Sequence, residues 1–235
     1  MGTKTGTNLI DTVARMLFDV NNVKWGREEM LLYVNDGVRE IVSVLPEASA
    51  TTTTMQLAAG CRQTIPAGSW MLLDVIRNMG TTGTDPGRAI QRVDMLVFDE
   101  SNPAWQSDTA STTTTVYMYN ARERGSFYVY PQPDNLDLHY IELIHSVYPT
   151  EQAEGSAIII DDVYAPMLIN YMLWRAHSKQ ANYADPNKAA QYFTLFSNAI
   201  QTNGTSIAKL VSEQGRMELP TTQGQGSAVV PPVTN

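Results

Sequence analysis

The sequence holds three histidines and one cysteine, the side chains best suited to metal binding and nucleophilic chemistry, and their spacing argues against both. His139 and His145 fall on one face of an expected strand, roughly 20 Å apart at about 3.3 Å per residue, too far to share a metal ion. His177 lies in an expected helix with no His or Glu four residues away, so a packing role is the simpler reading. Cys61 stands alone, which excludes an intrachain disulfide and a cysteine zinc site, and no cysteine-protease motif surrounds it.

The acidic pairs are no more specific. Asp161-Asp162, Asp94 with Asp99 and Glu100, and Asp134 with Asp137 are what an acidic chain produces by chance, and helix capping explains the first pair. The stretch 80–87, rich in Gly and Thr, lacks the Lys-Ser/Thr ending of a phosphate loop, and Pro86 would interrupt a helix starting there, so it reads as a turn. No Gly-x-Ser-x-Gly elbow is present. The chain reads as no enzyme, with no catalytic, cofactor or metal residues to assign. Tyr117, Tyr119, Tyr128 and Tyr130 are the most site-like group, because paired strands can offer stacked rings to bases or sugars, although cross-strand packing explains them as well. Arg122 and Arg124 in the loop between them are too few for a nucleic-acid footprint, and fit an ion pair with a neighbouring subunit.

Several elements must carry these residues. Thr7 or Asn8 can cap a first helix, in which Leu9, Val13, Leu17 and Val20 recur at helical spacing. After Trp25-Gly26, the residues Leu31, Val34, Val38, Ile41 and Leu45 step by threes and fours until Pro46 stops the helix. From Thr51 the texture turns Thr-rich, β-branched and aromatic, predicting strands over 52–57, 61–65, 70–77, 113–119, 127–130 and 139–147, a hairpin loop over 120–126, and no helix until about Asp161. Asp161-Asp162 with Pro166 opens a third helix along Val163, Met167, Tyr171, Trp174, Ser178 and Ala181. Asp185-Pro186 opens a fourth, through Ala189, Phe193, Phe196 and Ile200, that bends or pauses at Asn203-Gly204. Two N-terminal and two C-terminal helices, each with one apolar stripe, need one another. The expected fold is therefore α+β: an antiparallel helical bundle of residues 1–48 and 159–215, a β-rich domain inserted at 49–158, and an extended C-terminal arm at 216–235 whose Pro- and Gly-rich composition cannot build a core.

Composition bounds the function classes. With 43% hydrophobic and 17% charged residues over 235 positions, the chain has material for a sizeable core. Lys and Arg number 16 against 24 for Asp and Glu, and the resulting net charge of -8 has the wrong sign for gripping nucleic-acid backbone. The longest apolar stretch covers a few residues where a bilayer span needs about 20, so no membrane partner is expected. The start lacks an apolar signal region, and Gly6 occupies the position where myristoylation wants Ser or Thr; synthesis in a cytoplasm is the expectation.

Taken in order, a set of segments resembles a known family. They are Trp25 with Glu28-Glu29 and Tyr33-Val34-Asn35-Asp36, then Ala59-Gly60-Cys61-Arg62-Gln63 with Ile65-Pro66, Leu73-Asp74-Val75 and Arg77-Asn78. Asn102-Pro103-Ala104-Trp105, Phe127-Tyr128-Val129-Tyr130-Pro131, Tyr148-Pro149, Asp161-Asp162-Val163-Tyr164 and Leu173-Trp174-Arg175-Ala176 complete it. The chain resembles the head-to-tail connector adaptor proteins of tailed, short-tailed bacteriophages over most of the length from Asn8 to about Ile200. Family members often carry Thr or Ser where Cys61 stands.

That resemblance implies a structural virion protein of the head-tail neck: a homo-oligomeric ring, a dodecamer, below the portal protein and above a tail nozzle or tail-tube protein, through which DNA passes without specific binding. Its helical bundle would meet portal and neighbours, with Trp25, Arg122 and Arg124 as subunit or tail contacts. The arm would reach the portal through Ala228, Val229, Val230, Pro231 and Pro232, the apolar triplet adding a strand to a partner's sheet before proline stops the pairing. Net acidity suits a passive channel, and Asp94, Asp99, Glu100 and Asp108 are candidates for its lining. The alternative is a tail-associated carbohydrate-binding module using the tyrosine-rich hairpin; a hydrolase built on an acidic pair ranks last.

Overall fold

The computed structural model describes residues 2–134 and 138–214. It is a mixed α+β chain whose helices lie towards both ends and whose strands lie between. Helix α1 (Gly6–Met16) starts two or three residues earlier than the sequence predicts: Thr5, rather than Thr7 or Asn8, is the cap, and Asn8 reaches back to it, forming a reciprocal capping box. Leu17 ends the helix, and Val20, expected on its stripe, lies beyond it at 66% exposure. Helix α2 (Arg27–Val44) follows the predicted seam, with Val34, Val38, Ile41 and Leu45 all buried.

Two sheets follow. Strands β1 (Ala50–Gln56), β7 (Tyr140–Val147) and β3 (Ser69–Asn78) form an antiparallel sheet in the order β1-β7-β3. The second sheet runs β2 (Arg62–Thr64), β6 (Ser126–Tyr130), β5 (Val116–Met118), β4 (Gln91–Arg92), antiparallel except for the β4–β5 pair. Between β4 and β5 lies α3 (Met95–Ser101), a helix in the stretch expected to have none. Asp94 caps it through the amides of Leu96 and Val97, so this carboxylate has a structural role.

Helix α4 (Ala165–His177) begins after a short turn capped by Asp161, and Val163 sits in that turn at 75% exposure rather than on the helix stripe. Helix α5 (Pro186–Gln214) is capped by Asp185 as expected but runs unbroken through Asn203-Gly204. The Asn203 amide bonds the Ala199 carbonyl one turn back, so the pair that would break an isolated helix is absorbed into this one.

One apolar cluster joins Leu9, Ile10 and Val13 of α1, Val34, Val38 and Ile41 of α2, Leu168 and Met172 of α4, and Phe196 of α5. Gly37 lets α2 and α4 close up, because a Cβ there would overlap Leu168 and Tyr171. A second cluster joins the two sheets, with Leu72, Val75, Ile141 and Leu143 from the first and Phe127 and Val129 from the second; a third, smaller one surrounds Trp105, Met118 and Cys61. The helical cluster is closed by the chain's beginning: Ile158 donates to the Lys4 carbonyl, Thr7 to that of Glu154, and Thr5 bridges Ala157.

Candidate functional site

Of the residues expected at an interface, Trp25 is the one that the fold removes from the surface. It is 3% exposed, its Nε1 donates to the Ala176 carbonyl at 3.1 Å, and its ring meets Tyr183 edge-on at 4.9 Å. It pins the α1–α2 connection to the end of α4, a core role that a large aromatic after a helix end supports equally well. The same connection supplies surface that sequence spacing missed. Asp19 is 7% exposed and accepts the amides of Val23, Lys24 and Trp25 at 3.0, 2.8 and 2.9 Å. Burial pushes its carboxyl up, but these three donors outweigh that and hold it below the ordinary Asp range. Around this organised turn, Phe18, Val20 and Val23 stand 93%, 66% and 82% exposed, with Phe18 in the left-handed backbone region. A non-periodic apolar triplet flanking a buried carboxylate is the signal that could have found it.

Arg122 and Arg124 lie at the tip of the β5–β6 hairpin, and both are exposed. The tip is shaped by Asn120, whose side chain accepts the Arg122 amide and whose carbonyl accepts that of Glu123. Arg124 lies over the Trp70 ring, 4.5 Å from its centroid, and Arg62 pairs with Glu123. Trp70 in turn packs on Tyr148 beside a groove of about 160 Å³ lined by Arg39, Val42, Ser43 and Pro149. The two arginines therefore separate: Arg124 is braced on an aromatic, and Arg122 points its charge outward without an ion pair among the described residues.

The tyrosine group does not form one ladder. Tyr117 pairs with Val129, and Met118 with Tyr128, so alternation sends Tyr117 and Tyr119 to one face and Tyr128 and Tyr130 to the other. Tyr117 is buried and donates to Asp74 at 2.7 Å; burial first and this carboxylate second push its hydroxyl above the ordinary range. Tyr130 donates to Asp108 at 2.9 Å, and Tyr128 packs against Trp105. All are engaged in packing.

The three histidines, Cys61, Asp99 and Asp162 are likewise engaged in local contacts. His139 faces Asp134 at 3.1 Å, His145 bonds Ser69 through Nδ1 at 2.8 Å, and His177 stacks on Tyr192. Burial lowers the pKa of both His145 and His177. Burial, then Asp108, pushes the Cys61 thiol up, so it is no ready nucleophile. Asp99 accepts the Trp105 indole N–H, and Asp162 holds the backbone of Thr3 and Lys4. Among the described residues no group of three His, Cys, Asp or Glu side chains could hold a metal ion, and no helix is long and apolar enough to cross a membrane.

The geometry offers contact surfaces: an apolar turn, a basic hairpin tip and an open sheet edge. A family model described as SU10 adaptor protein matches residues 4–223, taking in every helix and both sheets. The chain belongs to the SU10 adaptor protein family. It is thus a bacteriophage head–tail adaptor, a structural component of the virion neck whose family role is contact with portal and tail components. No curated protein matches the chain. The expected arm contacts Ala228, Val229, Val230, Pro231 and Pro232 lie outside the described residues.

Proposed function

We propose that this adaptor assembles as a dodecameric ring that joins the portal to the tail and lets DNA pass through it. The carrying observation is the family match across residues 4–223, which spans the whole described fold rather than one motif. In this reading the four long helices form the ring scaffold, the insert of residues 49–158 faces the tail, and the arm of residues 216–235 docks on the portal. Phe18, Val20 and Val23 meet a neighbouring subunit, a role that moves from Trp25 to the exposed side chains beside it. Arg122 and Arg124 serve the subunit or tail contact. A net charge of -8 keeps the channel from gripping DNA phosphates, so DNA slides rather than binds.

The test is to mix the purified full-length chain with its assembled portal and image the product by electron microscopy. A ring seated beneath the portal is expected; a portal left bare overturns the reading. A chain ending at Gly215 should bind the portal more weakly, and unchanged affinity would remove the arm from the interface.

A further inference from the structure

Phe18 is the most exposed large apolar side chain among the described residues, at 93%. Its backbone lies in the left-handed region at φ 54°, which a bulky residue rarely occupies, and the Asp19 carboxylate fixes the turn behind it through the amides of Val23, Lys24 and Trp25. The phenyl group is thus displayed on an ordered support, so little freedom is lost when it meets a partner. The groove beside Trp70 is its counterpart. Its volume of about 160 Å³ suits one aromatic side chain, since an apolar cavity of about 150 Å³ holds a benzene molecule. Val42, Trp70, Tyr148 and Pro149 give it apolar walls, and Arg124 and Tyr148 hold Trp70 in place.

The two features do not meet within one chain. The Phe18 turn precedes Arg27 at the start of α2, whereas Arg39 and Ser43 at the groove lie about 18–24 Å further along that helix at about 1.5 Å per residue. Charge separates them as well. Arg15 and Lys24 flank the turn, both exposed and neither in an ion pair among the described residues, with Lys24 lying 5.9 Å over the Tyr183 ring. At the groove, Glu40 is exposed one turn before Ser43, and Glu151, with a side chain 74% exposed, joins Asp36 in neutralising Arg39.

We propose that Phe18 of one subunit seats in the Trp70–Tyr148 groove of the next, with Arg15 and Lys24 facing Glu40 and Glu151. The inference rests on the ring reading above and supplies its contact between subunits. The two patches differ, so the contact is heterologous: each copy keeps a turn on one side and a groove on the other, and successive copies close into a ring when the rotation allows. An aromatic side chain in a pocket anchors such a contact, and the charges around it set the register.

The test places photo-reactive p-benzoylphenylalanine at position 18 of the full-length chain, which is irradiated alone at high concentration and mixed with the assembled portal. Adducts are separated by denaturing electrophoresis and mapped by mass spectrometry. Covalent dimers joining position 18 to the segments that carry Val42 and Ser43 or Tyr148 and Pro149 are expected. Ser43→Trp, which fills the groove from an exposed position, should reduce them about ten-fold. Dimers joined elsewhere, adducts within one chain, no dimer in either sample, or a yield unmoved by Ser43→Trp each overturn the inference. Electron microscopy of the portal sample separates it from the ring reading. A ring without the adduct keeps the ring and removes the Phe18 contact, whereas the adduct beside a bare portal keeps the contact and removes the ring beneath the portal.

Discussion

The helical cluster and the β-rich stretch solve the burial problem in opposite ways. The helices pool Leu9, Ile41, Leu168 and Phe196, drawn from both ends of the chain, into one continuous core, and the connection between α1 and α2 is tied to it through Trp25. The strands divide their apolar side chains between a core around Phe127 and Leu143 and a smaller one around Trp105, and bridge the gaps with polar side chains such as Gln63, bonded to the backbone of Ala58 and Gly60. In the pooled core one substitution touches side chains from several helices, whereas in the divided one it touches a smaller neighbourhood. Pooled and divided cores thus fall to different parts of one chain.

The sharpest way to break this contrast is Trp25→Ala. It should cost about 3–5 kcal/mol in urea unfolding, because it empties a core site and leaves the Ala176 carbonyl without its indole donor. A loss no larger than that of a surface substitution would show that the connection is not part of the helical core. Gly37→Ala should cost about 1–3 kcal/mol by forcing α2 away from Leu168 and Tyr171, and thermal melting reads it; a neutral or stabilising result would mean that the helices can separate freely. On the β side, Arg124→Ala should remove only about 0.5–1 kcal/mol, the size of an exposed cation–π contact, while reducing ring or tail assembly more than it reduces stability.

The last prediction is a slope with pH. Burial lowers the folded-state pKa of His145 and His177, so below about 6.5 the unfolded chain takes up protons that the folded chain refuses. Stability should therefore fall as pH drops from about 6.5 towards those depressed values. His177→Phe, tucked between Trp25 and Tyr192, should flatten the helical share of that slope; an unchanged slope would exonerate this histidine.

Much of the architecture was legible because it is written in local patterns. The threes and fours from Val34 to Leu45 sit on a buried seam, Asp185-Pro186 does start α5, and the Gly- and Asn-bearing loop after Tyr119 does turn a hairpin. What escaped depends on partners distant in sequence. Helix α3 is short and buries none of its residues, so it has no stripe to betray it. Val20 has helical spacing but lies past the helix end, and the tyrosines differ in parity between two strands whose register no single strand records. The role of Gly37 needs Leu168, more than a hundred residues away, before it means anything. Family membership came from the order of many weak segments, while the contact surfaces emerged from exposure: Trp25 and Val23 look alike in sequence and lie on opposite sides of the protein boundary.

The binding of residues 3–7 to residues 154–162 also sets a timetable for synthesis. Asp162 holds the backbone of Thr3 and Lys4, and α1 and α2 bury their stripes against α4 as well as each other, so the first two helices leave the ribosome without α4 to complete their core. At about 5–20 residues per second, the wait from α2 to α4 is on the order of ten seconds, and every strand is made during it. The nascent β-rich stretch can collapse first, with the helical halves meeting across it only near the end of translation. The helical core of this adaptor therefore closes only when nearly the whole chain exists, so an incomplete chain lacks the packed helices of the finished protein.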